Sequence, residues 1–203
     1  MSIKDHSLRT KLYGLVLSGG KSTRMGKDKG MIKYHDLPQR EHIYNLLSQV
    51  CEKTFLSIRE EQATDIPLGL ATIIDRDQYK GPFNGLLSAH YYYPQVAWLV
   101  LACDLPLIDL KAINELIAAR DYDKRATAFA TRKSGLPEPL AAIWEPEGLS
   151  QTIDYLKHAN SSCPRKYLIN SEVKLVFPKD DKVLINANSE EDYQQVLSKL
   201  ESI

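Results

Sequence analysis

The stretch "AWLVLACDLPLI", residues 97–108, decides the fold class, because an unbroken apolar run leads directly into an aspartate. A strand with one face in solvent alternates apolar and polar residues, whereas continuous apolar character is typical of a strand buried on both faces. Such a strand belongs in the middle of a parallel sheet covered by helices on both sides. Asp104 then stands at the carboxyl end of this strand, and Pro106 restricts the turn behind it.

The segments before and after this run continue the alternation of strands and helices. This alternation indicates a doubly wound, mostly parallel sheet whose ligands bind beyond the carboxyl ends of the strands. Apolar runs predict strands at 12–18, 54–58, 70–75, 126–131, 139–144 and 174–177. Helical spacing and capping residues predict helices at 39–50, after Gly85, after Asp109 and after Ser189.

Composition excludes several classes of protein. The 26 basic residues are balanced by 26 acidic ones, so nothing general favours nucleic acid or an anionic membrane as a partner. Three scattered cysteines form neither a zinc motif nor a disulfide framework, and no apolar stretch reaches the roughly 18 residues of a membrane span. We expect a cytoplasmic protein with a polar extension at 1–11 and one domain at 12–203.

A glycine-rich basic stretch, "LSGGKSTRMGKDKG" at 17–30, follows the first predicted strand. It is not a P-loop, because the first glycine of that motif would have to be residue 15, and Gly14 misses by one position. It is not the dinucleotide fingerprint either, because Gly19 and Gly20 are adjacent and the next glycine is Gly26.

The same stretch has the chemistry of another kind of phosphate site. Adjacent glycines let main-chain N–H groups approach a phosphate chain, and Arg24 and Lys29 can neutralise a triphosphate. The alternative is a tight turn followed by a solvated basic loop. The position of Gly19 and Gly20 directly after a buried strand, together with the two cations, favours the phosphate site.

This stretch resembles the signature L-x-G-G-x-S-x-R-M-G-x-D-K of the molybdenum cofactor guanylyltransferase family. The resemblance extends from Leu12 to the final helix, and it implies a single-domain, Rossmann-like α/β fold of the nucleotide-diphospho-sugar transferase type, with helices on both faces of the sheet. The matching residues are Leu17, Gly19, Gly20, Ser22, Arg24, Met25, Gly26, Asp28 and Lys29.

The resemblance also implies a set of site residues. Arg24, Lys29 and Asp104 would be catalytic, with Asp104 as the ligand of Mg²⁺. The nucleotide would be bound by Leu17, Ser18, Gly19, Gly20, Lys29, Ser57, Asp75, Gly81 and Asp104. The acceptor would be bound by Pro139, Asn186 and Asn188.

Each assignment has a structural alternative. Asp104 could cap the following turn, residues 81–85 could be an ordinary loop before a helix, Pro137 and Pro139 could be breakers before a strand, and the asparagines could form a turn. Ser57 stands where the family tends to place an asparagine, and Asn84 where a small residue is common. The five histidines are assigned no role, and Tyr91 to Tyr93 are interpreted as a helix end at the surface.

The function implied is Mg²⁺-dependent transfer of GMP from GTP to the terminal phosphate of molybdopterin or Mo-molybdopterin, with release of pyrophosphate. Residue chemistry alone supports a nucleoside triphosphate and a phosphate-bearing acceptor. The alternatives are a cytidylyltransferase or sugar-phosphate nucleotidyltransferase of the same fold, or a catalytically silent nucleotide-binding protein. Paired glycines after Leu17 and Ser18 favour guanine, because cytidylyl relatives more often have Ala-Gly there.

Overall fold

The protein is described by a computed structural model that covers residues 10–19, 29–159, 161–187 and 189–200. Within these residues seven strands form a sheet in the order β3-β2-β1-β4-β6-β5-β7. The strands are β1 (Leu12–Leu17), β2 (Lys53–Ile58), β3 (Thr72–Ile74), β4 (Ala97–Ala102), β5 (Ala126–Ala130), β6 (Pro137–Trp144) and β7 (Val173–Val176).

Helices connect most of the strands in the described part of the chain. Short 3₁₀ helices lie at Lys29–Met31, Glu60–Asp65 and Asp181–Leu184. The α-helices are α1 (Gln39–Ser48), α2 (Phe83–Tyr92), α3 (Leu110–Ala118), α4 (Pro146–His158), α5 (Pro164–Ile169) and α6 (Glu190–Leu200). None of the helices described is long and apolar enough to cross a membrane.

The strand order reverses between β1 and β4. β1 pairs in parallel with β2 on one side and with β4 on the other, so that Leu17 lies opposite both Ser57 and Ala102. The only antiparallel strand of the described sheet is β6. The carboxyl ends of β1, β2, β3 and β4 therefore share one edge, and ligands of open α/β sheets bind at such a reversal.

Two apolar clusters cover the two faces of the sheet. Leu99 and Leu101 of β4 pack toward one face with Ile43 of α1 and Ile113 of α3. Residues of α2, α4 and α5 pack on the opposite face together with Trp98 and Val100 of β4. β4 is buried along its whole length, as its continuous apolar sequence predicts, and the expectation of helices on both faces is confirmed.

Helix caps and the surface tyrosines agree with the sequence. The Asp109 carboxylate accepts a hydrogen bond of 2.7 Å from the Ala112 N–H at the start of α3. The Ser189 hydroxyl accepts one of 3.1 Å from the Asp192 N–H at the start of α6. Tyr91 and Tyr92 are exposed at the end of α2, as expected. Tyr93 differs, because it is half-buried and its ring packs against those of Tyr13, Phe55 and Trp98.

Other elements differ from the sequence prediction, and prolines explain most of the differences. α2 begins at Phe83 rather than after Gly85, because Pro82 already has a helical φ of −62° and starts the helix. The alternative that Pro137 and Pro139 break the chain before a strand is wrong, since both lie within β6. The pairing of β5 with β6 shifts register there, and prolines are tolerated at such irregularities. α4 and α5 are not among the helices that the sequence predicts.

Candidate active site

The predicted site residues that the structure describes lie mainly at the carboxyl edge of the sheet. Ser18 and Gly19 follow β1, Asp75 follows β3, and Asp104 lies two residues beyond β4. Gly20, Arg24 and Asn188 lie outside the described residues, as does the side chain of Lys29. Their roles stay predictions.

Asp75 and Ser57 form the buried part of the site. The Ser57 hydroxyl donates a hydrogen bond of 2.6 Å to Oδ1 of Asp75. The other oxygen, Oδ2, faces the main chain of Gly19, where a Cβ atom would come within 2.7 Å of it. Glycine at 19 therefore lets the chain leaving β1 pass directly against the Asp75 carboxyl group. Ser57 thus contacts Asp75 directly, and its binding of the nucleotide stays a prediction.

Burial raises the pKa of the Asp75 carboxyl to about 6. Desolvation is the largest cause, and the negative charge of Asp77 raises the pKa further. The hydrogen bond from Ser57 and the positive charge of Arg59 act in the opposite direction. Asp75 is thus mostly ionised at neutral pH but close to its titration range, which is typical of carboxyl groups at functional sites.

Glycines before and within α2 have two different tasks. Gly81 is exposed and has a φ of +66°, so it makes the turn that enters the helix. Gly85 lies inside α2, where a Cβ atom would come within 2.1 Å of the Ser57 hydroxyl and 2.9 Å of a Leu17 methyl group. In the segment 81–85 it is Gly85 whose main chain lies close against Ser57 and Leu17. Nucleotide binding by Gly81 stays a prediction. The Asn84 side-chain amide donates to Asp77, and its hydrogen bond to Asp75 lowers the pKa of that carboxyl group.

Arg59 and Gln62, which follow β2, hold the start of the glycine loop. Neither residue is among those predicted from the sequence. The Arg59 guanidinium donates from Nη1 to the carbonyl of Gly19. The Gln62 amide donates to the carbonyl of Ser18 at 3.2 Å. These two hydrogen bonds attach the consecutive carbonyl groups of Ser18 and Gly19 to the segment that follows β2. The available signal was a pair of long hydrogen-bond donors, Arg59 and Gln62, just beyond a predicted parallel strand.

Ser18 also meets the far end of the glycine loop. Its side chain is buried, and its hydroxyl has no hydrogen-bond partner in the part of the chain that is described. A Cβ atom on Gly30 would come within 2.7 Å of this hydroxyl. The loop therefore leaves β1 at Ser18 and returns against the same residue, which brings the 3₁₀ turn at Lys29–Met31 close to the end of β1.

Asp104 is the carboxylate that the sequence predicts to hold a magnesium ion shared with phosphates. It is half-buried just beyond β4, and its carbonyl accepts a hydrogen bond of 2.9 Å from the N–H of Ala187. That bond brings the exposed Asn186 near the same turn. Among the described residues no three His, Cys, Asp or Glu side chains form a metal cage. Mg²⁺ in nucleotide enzymes is commonly held by one or two carboxylates plus substrate phosphates, and Asp104 fits that arrangement.

Pro139 is the remaining predicted acceptor residue that the structure describes. It is buried in β6, and its carbonyl accepts a hydrogen bond of 2.9 Å from the Trp144 indole. This contact fixes the irregular part of β6, and the acceptor-binding role stays a prediction.

The fold and the site together define a nucleotidyltransferase-type α/β domain. The family model of the MobA-like NTP transferase domain matches residues 14–173, and the chain belongs to this family. The recognised resemblance and the expected fold class are confirmed.

Relatives and a solved structure agree with that assignment. The chain is 41% identical over 189 residues to a molybdenum cofactor biosynthesis bifunctional protein of Synechocystis, covering 93% of this chain and 54% of that protein. It thus spans about half the length of this relative. It is 26% identical to a molybdenum cofactor guanylyltransferase of Pseudomonas fluorescens, covering 87% of this chain and 89% of the relative.

The molybdopterin-guanine dinucleotide biosynthesis protein A of Archaeoglobus fulgidus has the same fold. Its crystal structure superposes with a TM-score of 0.76 at 17% identity, covering 94% of this chain and all of that one.

Proposed function

We propose that the protein transfers GMP from GTP to the terminal phosphate of molybdopterin, or of its molybdenum-loaded form, and releases pyrophosphate. The names of the Synechocystis and Pseudomonas relatives support the acceptor. The contact between Asp75 and the start of the glycine loop is the structural observation on which the choice of nucleotide rests.

Guanine is the base that best complements the Asp75 carboxylate. The Watson–Crick edge of guanine presents two adjacent N–H donors, N1–H and the 2-amino group, and one carboxylate can accept both. The corresponding edge of cytosine offers a single donor group, the 4-amino group. Because Asp75 lies against Gly19, a base bound there places its ribose and phosphates along the glycine loop.

The reaction needs positioning and charge rather than a protein nucleophile. An oxygen of the acceptor phosphate attacks the α-phosphorus in line, and the bond to the leaving pyrophosphate breaks. The main chain at Gly19 holds the nucleotide, and the predicted contacts of Gly20, Arg24 and Lys29 stabilise the charge on the pyrophosphate. Mg²⁺ beside Asp104 would neutralise phosphate oxygens. Asn186 and Asn188 are proposed to bind the acceptor.

The test is an assay of pyrophosphate release with molybdopterin as the acceptor and GTP, ITP, ATP or CTP as the donor. ITP lacks the 2-amino group, so we expect GTP to be preferred over ITP, and both over CTP. In Asp75→Asn the preference for GTP over ITP should be lost. A wild-type preference for CTP would instead indicate a cytidylyltransferase, and GTP binding without any turnover would indicate a silent nucleotide-binding protein.

A further inference from the structure

Three consecutive carbonyl groups in the turn that contains Asp104 are held by donors from elsewhere in the chain. The carbonyl of Asp104 accepts from the N–H of Ala187 at 2.9 Å. The carbonyl of Leu105 accepts from Nε2 of Gln39 at 3.2 Å. The carbonyl of Pro106 is 3.0 Å from Nε2 of His35. The turn is thus fixed at three successive peptide units.

Two of these donors come from the segment that directly follows the glycine loop. Gln39 is the first residue of α1, and His35 precedes it by four residues. The segment from Lys29–Met31 to Gln39 therefore runs from the proposed phosphate site to the proposed metal carboxylate. A change in the position of this segment would move both groups together.

The Gln39 side chain is completely buried, and this placement has an energetic cost. Its Oε1 atom has no hydrogen-bond partner among the described residues. A buried amide with an unpaired oxygen destabilises the fold relative to an apolar side chain of similar shape. Packing alone would therefore be better served by Leu or Met, whereas the bond to the Leu105 carbonyl needs the amide.

His35 is itself held in place by a second histidine. Its ring stacks on that of His42 in α1, with the ring centroids 3.8 Å apart and an angle of 18° between the planes. Burial, together with the nearby His35, lowers the pKa of His42 to about 4. His42 is therefore neutral at pH 7 and can stack without charge repulsion. No role for the histidines is evident from the sequence, and the structure places this pair against the Asp104 turn.

We propose that Gln39 and His35 are positioning residues for the metal and phosphate site, acting by holding the main chain of the Asp104 turn. The inference rests on the proposed function for the role of Asp104. Neither side chain is proposed to touch the substrate. Each sets the direction from which the Asp104 carboxylate meets a metal bound to the triphosphate.

The first test is metal binding, measured without turnover. Mn²⁺ is titrated by electron paramagnetic resonance into the protein saturated with the α,β-methylene analogue of GTP. Gln39→Met removes the donor at nearly the same side-chain length, and we expect Mn²⁺ affinity to fall about tenfold, as for other groups that orient a metal ligand. The matched control is Gln49→Met in the residue after α1, where the amide donates only to the Asn45 carbonyl.

The second test separates a hydrogen bond from packing at His35. His35→Phe keeps a ring to stack on His42 but loses the donor, and His35→Gln keeps an N–H donor. We expect Mn²⁺ affinity to fall in the first variant and to recover at least in part in the second. In the pyrophosphate assay kcat/KM for GTP should fall in parallel with Mn²⁺ affinity, because the metal joins the triphosphate to the Asp104 turn and the two binding affinities are linked.

Several outcomes decide the question. Wild-type Mn²⁺ affinity in Gln39→Met and His35→Phe would overturn the proposal, and so would equal losses in His35→Phe and His35→Gln. If Gln39→Met fails to fold, the comparison of His35→Phe with His35→Gln decides. A further outcome is that the variants lose Mn²⁺ affinity while the wild-type protein releases no pyrophosphate with any nucleotide. That result would support the positioning role and refute the proposed reaction.

Discussion

The Asp75 carboxyl group is proposed to bind guanine as an anion, although its surroundings favour the neutral acid. Its pKa of about 6 results from desolvation that the Ser57 hydroxyl and Arg59 only partly offset. The same burial that raises the pKa strengthens a hydrogen bond to a ligand, because fewer water molecules compete for the carboxylate. The site can thus gain selectivity, at the cost of depending on pH.

The first prediction is that GTP affinity depends on the ionisation of Asp75. Below pH 6 the carboxyl group of the free protein is increasingly neutral and has to lose its proton to accept both guanine N–H groups. The dissociation constant for GTP should therefore rise, approaching about tenfold per pH unit well below pH 6. Isothermal titration calorimetry between pH 5 and 8 measures this. Asp75→Asn should bind GTP roughly ten- to a hundredfold more weakly at pH 7, having lost a charged hydrogen-bond acceptor.

The comparison with Asp75→Asn also removes a complication. The terminal phosphate of GTP titrates in a similar range, but it does so equally with both proteins. Only the difference between the two pH profiles reports on Asp75. Parallel profiles would rule out its role in guanine binding.

The second prediction concerns Ser57. Its hydrogen bond favours the ionised form of Asp75, so Ser57→Ala should raise the pKa of that carboxyl above 6. The fall in GTP affinity should then begin at higher pH than in the wild type. Ser48→Ala is a suitable control, because that exposed serine bonds only to the Tyr44 carbonyl within α1. A profile that moves to lower pH, or does not move, would contradict this account.

At the residue scale, what could be predicted from the sequence depended on the kind of contact. Asp104 was predicted because a charged residue at the end of a buried strand is conspicuous, whereas Asp75 was implied by the family resemblance. Arg59, Gln62 and Gln39 were missed because they bind main-chain carbonyl groups whose positions exist only in the fold. The order of residue types along the chain does not show which main-chain carbonyl group will lie next to a given side-chain donor.

At the scale of elements, the parallel strands were predictable and the segments containing prolines were less so. β4 agrees with its apolar run residue for residue, because burial on both faces demands apolar side chains throughout. α2 and β6 differ because a proline starts the one and lies within the other. The effect of a proline depends on whether its missing N–H would have been bonded, and that is a property of the neighbouring elements.

The third prediction compares two glycines in helices. Alanine normally stabilises a helix relative to glycine by roughly 0.5–1 kcal/mol. At Gly85 the added Cβ would lie 2.1 Å from the Ser57 hydroxyl, and at Gly148 it would lie 2.3 Å from the Arg125 carbonyl. Both Gly85→Ala and Gly148→Ala should therefore lower the melting temperature, but only Gly85→Ala should displace Ser57 and Asp75.

The two variants are distinguished by binding rather than by stability. The folded fraction of Gly148→Ala should bind GTP with wild-type affinity, and Gly85→Ala should bind it more weakly and with an altered pH profile. Titration calorimetry below the melting temperature of each variant makes the comparison. If both variants lost affinity equally, the close contact at Gly85 would have no specific relation to the site.

At the scale of the whole molecule, the sheet separates the site from a buried ion pair at its opposite edge. Arg120 and Glu145 form two hydrogen bonds, of 2.7 and 2.8 Å, and both side chains are at most 5% exposed. Arg120 also donates to the carbonyl of Thr10, just before β1. The pair therefore connects the end of α3, the start of α4 and the segment entering β1. The six-residue strands put it about 20 Å from the carboxyl edge.

The fourth prediction is that this pair determines stability but not nucleotide binding. Arg120→Met leaves a buried carboxylate without its partner, and Glu145→Leu leaves a buried guanidinium, so each should lower the free energy of unfolding by about 3–5 kcal/mol. The double variant Arg120→Met/Glu145→Leu leaves neither charge and should recover most of that loss. Urea unfolding measures the three values. The affinity of each folded variant for GTP should equal that of the wild type, because the pair lies about 20 Å from the site. A loss of affinity in the double variant, with stability restored, would mean that the two edges of the sheet are coupled.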